Sequence, residues 1–279
     1  MPFLFILIAV FVSMSQMSAA PLWMTIPPTP SLPNPDHSGY AQINGIKIWY
    51  AIFGRGEPVI LLHGGLANSN YWGKQVPVLA KAYQVIVMDS RGQGRSSRDA
   101  QPFSYNLMAS DVIGLMDCLR VQRAAMVGWS DGAIIGLVMV MHYPERVTRL
   151  FAFGANSNPR GVREDVGENP AVKESLARRE KEYQQLSTTP DEFNSIRDRI
   201  REMQRREPDF TAQQLQGITV PTWIVDGDHD EAIKRENTLF LADQIPNARL
   251  LIQPGVSHFA FLQDPGQSND DLLHFLQQR

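Results

Sequence analysis

Apolar positions along the chain fall into two rhythms. Pro58 to Leu62, Val85 to Asp89, Ala124 to Gly128, Val147 to Phe153, Thr222 to Val225 and Ala248 to Ile252 are short, almost unbroken apolar runs. Each is strand-length and reads as a short strand of a covered sheet. Lys47 to Phe53 reads as a further strand. Between these runs the spacing changes. Tyr105 to Leu119 places Leu107, Met108, Val112, Leu115, Met116 and Leu119 at helical intervals, and Gly132 to Tyr143 is a strongly apolar helix. Strands alternating with helices predict an α/β protein with a mainly parallel, twisted sheet covered on both faces.

Two stretches break the pattern. Between Asn156 and Gln216, 23 of 61 residues are charged, more than twice the density found elsewhere. No β-like run occurs there, but Ala171 to Leu186 and Asp191 to Arg206 have helical patterning. In the second, Phe193, Ile196, Ile200 and Met203 form an amphipathic stripe. Charged helices inserted between two sheet strands, at about 156–216, predict a helical cap laid over the sheet's edge. The other break is the amino terminus. Phe3 to Val12 is an apolar run followed by Ser18-Ala19-Ala20, which suits a signal peptide cut after Ala20. Ten residues at about 1.5 Å each span only about half of a bilayer's hydrocarbon core, which disfavours a permanent anchor. The expectation is export to the periplasm or medium, with an uncleaved membrane anchor as the alternative. From Pro21 to Pro35 six of fifteen residues are proline, predicting an extended tether over 21–39 and a folded domain over 40–279.

Composition narrows the function classes. The 279 residues carry 26 Lys+Arg against 29 Asp+Glu, a formal net charge of -3. That leaves no field suited to holding nucleic acid. With one cysteine and six scattered histidines, a structural zinc site is not expected, and no metal or other cofactor is called for.

The chemistry concentrates at the ends of the predicted strands. Gly128-Trp129-Ser130-Asp131-Gly132 follows one strand and opens the apolar helix. Such a reversal forces its central residue into strained geometry, needs small neighbours, and lifts the Ser130 hydroxyl at the carboxyl end of the sheet. A serine hydroxyl needs a base and an orienting acid. Pro254-Gly255-Val256-Ser257-His258 follows the last strand and offers His258 as base. Asp226-Gly227-Asp228-His229-Asp230 offers three carboxylates, of which Asp230 is favoured over Asp228 and Asp226. Consecutive glycines in His63-Gly64-Gly65-Leu66 allow backbone N–H groups to approach a ligand. Gly65 would pair with the N–H of Asp131 as an oxyanion hole, with His63 holding the loop by hydrogen bonds. Gly92-Gln93-Gly94 begins like a dinucleotide loop, but Ser97 stands where the last glycine is required.

Together these residues resemble the α/β-hydrolase superfamily from about Gly45 to Leu276. The resemblance is closest to its small capped branch of esterases, enol-lactonases, C–C hydrolases and cofactor-free haloperoxidases. Asp89-Ser90-Arg91-Gly92-Gln93-Gly94-Arg95-Ser96 adds to the match. In that family the third residue after the acid-loop glycine is the triad acid, which here is Asp230. The similar haloalkane dehalogenases and epoxide hydrolases carry Asp at the elbow, where this chain has Ser130. The resemblance implies a serine hydrolase acting on a small-molecule ester or lactone through an acyl-enzyme. On the same triad it leaves open C–C bond cleavage, enol-lactone opening and peracid formation, and beyond these a non-catalytic binding member of the fold. Leu66, Trp129, Phe153, Phe193, Met203, Ile233 and Phe259 are the candidate substrate-lining residues. The sequence says nothing of oligomeric state.

Overall fold

A computed structural model describes residues 20–278. The apolar run read as an export signal lies outside the described residues. Eight strands form one sheet: β1 (His37–Ile43), β2 (Ile46–Phe53), β3 (Glu57–Leu62), β4 (Tyr83–Met88), β5 (Ala124–Trp129), β6 (Val147–Phe153), β7 (Thr222–Gly227) and β8 (Ala248–Gln253). Their spatial order is β1-β2-β4-β3-β5-β6-β7-β8. β1 and β2, and β2 and β4, pair antiparallel, and every other neighbour is parallel.

The continuous apolar runs are explained by two cores, one on each sheet face. Ile60, Leu62, Ile86, Met88 and Met126 point to one side, where α1 (Tyr105–Cys118) and α2 (Asp131–His142) pack. Their chain neighbours Val59, Leu61, Val85, Val87 and Val127 point to the other, against Trp72, Phe261 and Phe275. A strand filling both cores has no polar position to alternate with. Residues Gly132 to Val140 of α2 are all buried, so this helix is apolar around its whole circumference.

The insertion between β6 and β7 contains α3 (Pro170–Leu186), α4 (Phe193–Arg206) and a short helical turn at Ala212–Gln216. Phe193, Ile196, Ile200 and Met203 of α4 are all buried and join the first core. Burying one such side chain stabilises by about 1.5–3 kcal/mol, enough to seat a helix whose other face is charged. The chain ends with α5 (Arg235–Gln244) and α6 (Pro265–Gln277).

The stretch expected to be a tether differs from that reading. It is extended, but it is laid against the body. Arg178 of α3 donates to the carbonyls of Ile26 (2.8 Å) and Pro27, Gln263 donates to Thr25 O at 2.8 Å, and the Trp23 ring stacks on His229 at 4.3 Å. A single 3-10 turn occupies Leu22–Met24, and the sheet begins at His37, before the expected start at residue 40. There β1 joins β2 through Asn44-Gly45, both at positive φ (49° and 80°), a two-residue hairpin loop.

Candidate active site

Ser130 caps α2 with φ 55° and ψ -121°, a conformation that L-residues rarely hold unless the surroundings enforce it. Its amide donates to Phe153 O at 2.8 Å, tying the elbow to β6. The small neighbours are obligatory. A Cβ at Gly128 would lie 2.3 Å from Gly132 O, and one at Gly132 would lie 2.1 Å from Leu62 O. Sheet, turn and helix are therefore in backbone contact, and the Ser130 side chain has one direction left, into a pocket of about 520 Å³.

His258 lines the same pocket. Its Nδ1–H donates to Asp230 Oδ2 at 2.7 Å, and Asp230 Oδ1 accepts from the amides of Ala232 (2.6 Å) and Ile233 (2.7 Å). Among the described residues Nε2 of His258 has no hydrogen-bond partner, and no hydrogen bond joins it to the Ser130 hydroxyl; such contacts often tighten only with substrate bound. Of the other two loop carboxylates, Asp228 is exposed and accepts from Val256 N at 3.2 Å, and Asp226 is buried beneath the site with Thr238 Oγ1 at 2.6 Å. Burial, then the nearby Asp230 charge, raises the Asp226 pKa well above the usual carboxylate range. Burial also lifts Asp230 to about 6, against the lowering effect of the Asp226 carboxyl and the two amides. It lowers His258, so near neutral pH the ring is an unprotonated base beside an ionised acid.

The main chain of His258 is clamped from both sides. Its N–H donates to Glu231 Oε2 at 3.0 Å, and its carbonyl accepts from the Trp129 indole at 2.9 Å. Gly154, at φ +63°, passes so close that a Cβ there would lie 2.6 Å from His258 Cε1.

The glycine loop is held by buried polar contacts. His63 Nδ1–H donates to Gly64 O at 2.8 Å, and Nε2 accepts from Ser90 N at 2.9 Å. Both ring nitrogens are thus engaged in structure, and burial lowers the ring's pKa. Leu66, at φ 60°, donates its N–H to Gln93 Oε1 at 2.5 Å. The Gly65 and Asp131 amides have no acceptor among the described residues, and both residues line the pocket. The Asp131 carboxylate is buried, accepting from Tyr105 OH (2.8 Å) and Gln204 Nε2 (3.0 Å). Among the described residues no group of three or more His, Cys, Asp or Glu side chains is arranged to hold a metal ion.

A family model for the alpha/beta hydrolase fold matches residues 57–199. The chain belongs to this hydrolase family. It is similar to a putative non-heme chloroperoxidase from Synechocystis, 31% identical, with 83% of this chain and 95% of that protein covered. It is also similar to a putative carbamate hydrolase from Azorhizobium caulinodans, 28% identical over 85% of this chain and 97% of the relative. Among solved structures, an N-acyl homoserine lactone degrading enzyme superimposes with a TM-score of 0.68 at 26% identity, covering 85% of this chain and all of the other.

The pocket of this α/β hydrolase has a floor of strand ends and a roof from α3 and α4. Of the seven residues expected to line it, Leu66, Ile233 and Phe259 do so. Four lie elsewhere. Trp129, wholly buried, projects to the opposite side of the elbow, among Tyr71, Phe259 and Phe261. Phe153 sits in the second core behind the His258 ring. Phe193 and Met203 are on the core-facing stripe of α4, with Phe193 against Tyr183 at 5.7 Å. In their place the roof contributes Ser175, Arg179, Arg201, Gln204 and Arg205. These are polar residues of amphipathic helices, and periodicity alone cannot tell a face turned to solvent from one turned to a ligand.

Proposed function

We propose that this hydrolase cleaves carboxylic esters or lactones through an acyl-enzyme on Ser130. The observation that carries the reading is the Asp230–His258 hydrogen bond of 2.7 Å, set in the wall of the pocket into which the strained elbow turns Ser130. His258 Nε2 takes the Ser130 proton as Oγ attacks the carbonyl carbon. Asp230 fixes the tautomer and steadies the imidazolium. The charge that develops on the carbonyl oxygen meets the free N–H groups of Gly65 and Asp131, a contribution worth about 10²–10³ in rate per donor. Collapse expels the alcohol with the proton from His258. Water then attacks the acyl-enzyme, His258 taking its proton, and returns Ser130 and the acid. In a lactone the expelled alcohol remains a hydroxyl on the acyl chain, and the second step releases a single hydroxy acid.

The test is intact-mass analysis of the protein after exposure to a fluorophosphonate. One adduct per chain, absent in Ser130→Ala and His258→Ala, is the expected result. A folded protein that stays unlabelled by this probe and by a smaller sulfonyl fluoride would overturn the assignment.

The relative named as a chloroperoxidase supports a second reading on the same residues. Hydrogen peroxide in place of water would resolve the acyl-enzyme to a peracid and free Ser130. Acetate- and peroxide-dependent oxidation of a dye, lost in Ser130→Ala, would establish it.

A further inference from the structure

We infer that the pocket selects a substrate that carries a carboxylate, received by Arg179 and Ser175 on the cap helix α3. The inference rests on the proposed acyl chemistry for the fate of the substrate's other end, though not for its binding. Val172, Ser175, Leu176 and Arg179 all line the pocket, and their spacing of three and four residues puts them on one helix face. Ser175 is 1% exposed, yet its hydroxyl has no hydrogen-bond partner. One turn on, Nε of Arg179 is buried and equally unpartnered. Both residues belong to the cavity wall, and two buried, unpartnered O–H and N–H groups on one helix face there are a standing cost that an acceptor reaching them would remove.

Arg179 is held ready for such an acceptor. One of its terminal nitrogens donates to Gly65 O at 3.1 Å, and its guanidinium lies 5.5 Å from the Trp129 ring centre and 5.7 Å from that of Phe259. This anchors it at the loop whose Gly65 N–H faces the reacting carbonyl, so the carboxylate belongs a few bonds from the scissile group. A short dicarboxylic half-ester, or a lactone with a carboxylate substituent, has that form.

Charge placement on the two cap helices supports the same conclusion. Of the cations that line no part of the pocket, Arg178, Arg197 and Arg206 pair with Glu174 (3.0 Å), Asp198 (3.1 Å) and Glu202 (3.7 Å). Lys173 pairs with Glu168, Arg199 donates to the carbonyls of Asp99 and Gln101, and Lys181 is exposed to solvent. Arg179, Arg201 and Arg205, which line it, have no ion pair among the described residues. The pocket's own carboxylates do not cancel this charge by contact. Asp131 is engaged by Tyr105 and Gln204, and Glu207 Oε2 accepts from Tyr105 N at 2.9 Å. A planar guanidinium beside a hydroxyl matches a carboxylate's two oxygens.

Calorimetry on Ser130→Ala protein, which retains its ligand, tests the inference with 4-nitrophenyl hydrogen glutarate and the neutral 4-nitrophenyl hexanoate. The acid should bind at least about tenfold tighter, and Arg179→Gln in the same background should cut that preference by about 10–100-fold, with Arg179→Lys restoring part of it. Ser175→Ala keeps the test alive if the arginine variant misfolds. It should weaken binding of the acid while leaving Tm equal or higher, because it removes an unsatisfied buried group. Equal affinity for the two esters, or a preference unchanged by both substitutions, overturns the inference. Because these readouts need no turnover, they stand apart from Ser130 labelling: failed labelling with acid-selective binding would sink the catalytic reading alone.

Discussion

The floor and the roof of the pocket are built on different principles. On the floor, position is set by main chain: Gly128 against Gly132, Gly132 against the end of β3, the His258 amide and carbonyl clamped by Glu231 and Trp129. Little there can shift without breaking sheet or core. On the roof, two helices are seated by one apolar stripe and present long side chains downward. Such a surface can be rewritten residue by residue without disturbing the fold. A scaffold divided in this way keeps bond-breaking geometry constant and leaves choice of substrate adjustable.

Substitutions on the floor should therefore depress kcat for every substrate, and substitutions on the roof should act on KM and on selected substrates. The largest expected effect is Asp230→Asn, which preserves shape but supports the wrong His258 tautomer. Turnover of a neutral aryl ester should fall about 10⁴-fold, and an undiminished rate would mean that the carboxylate does not orient the base. Gly154→Ala comes next. The new methyl would press on the His258 ring at a backbone conformation unsuited to alanine, and a displacement of about 1 Å costs roughly 10² in kcat. Acidification attacks the same pair reversibly. Asp230, raised to about 6 by burial, must be ionised, and His258, lowered by burial, must be neutral. Acid removes both conditions, so kcat/KM should be level near pH 7–8, fall about tenfold per unit as the first group protonates and more steeply once both are protonated. A profile flat to pH 4 would contradict the assignment. The smallest effect belongs to the roof. Gln204→Ala, which removes the α4 amide from Asp131, should raise KM about threefold to tenfold. A fall in kcat with KM unchanged would erase the distinction between floor and roof.

The same division governs what could be read from the chain. β3 to β7 were legible because burial on both faces leaves continuous apolar runs, and the elbow because close main-chain contact demands glycine at fixed spacing. β1 was missed. It is an edge strand whose residues from His37 to Tyr40 are not buried, and the Asn44-Gly45 pair was its one overlooked sign. The pocket lining was misjudged where apolar character was taken for contact with substrate. Trp129, Phe193 and Met203 are apolar because they are core, and the roof mixes Val172 and Leu176 with Ser175, Arg179 and Gln204 over the cavity. Gln93, Glu231 and Gly154 act through three-dimensional neighbours far away in the chain and leave no local trace.

The proline-rich segment adds a mechanical constraint on the roof. A flap joined to its base only at the two ends of its insertion can swing about the line between them. Here α3 is also lashed down by Arg178 to the carbonyls of Ile26 and Pro27, on the residue next to the one that reaches into the pocket. Together with the α4 stripe buried in the core and the Arg179 bond to Gly65 O, this tie holds the plate along its underside as well as at its ends, which leaves no free hinge axis. Lifting it requires release of the lashing, so with the segment in place traffic into the pocket passes beside the plate, not beneath a rising edge.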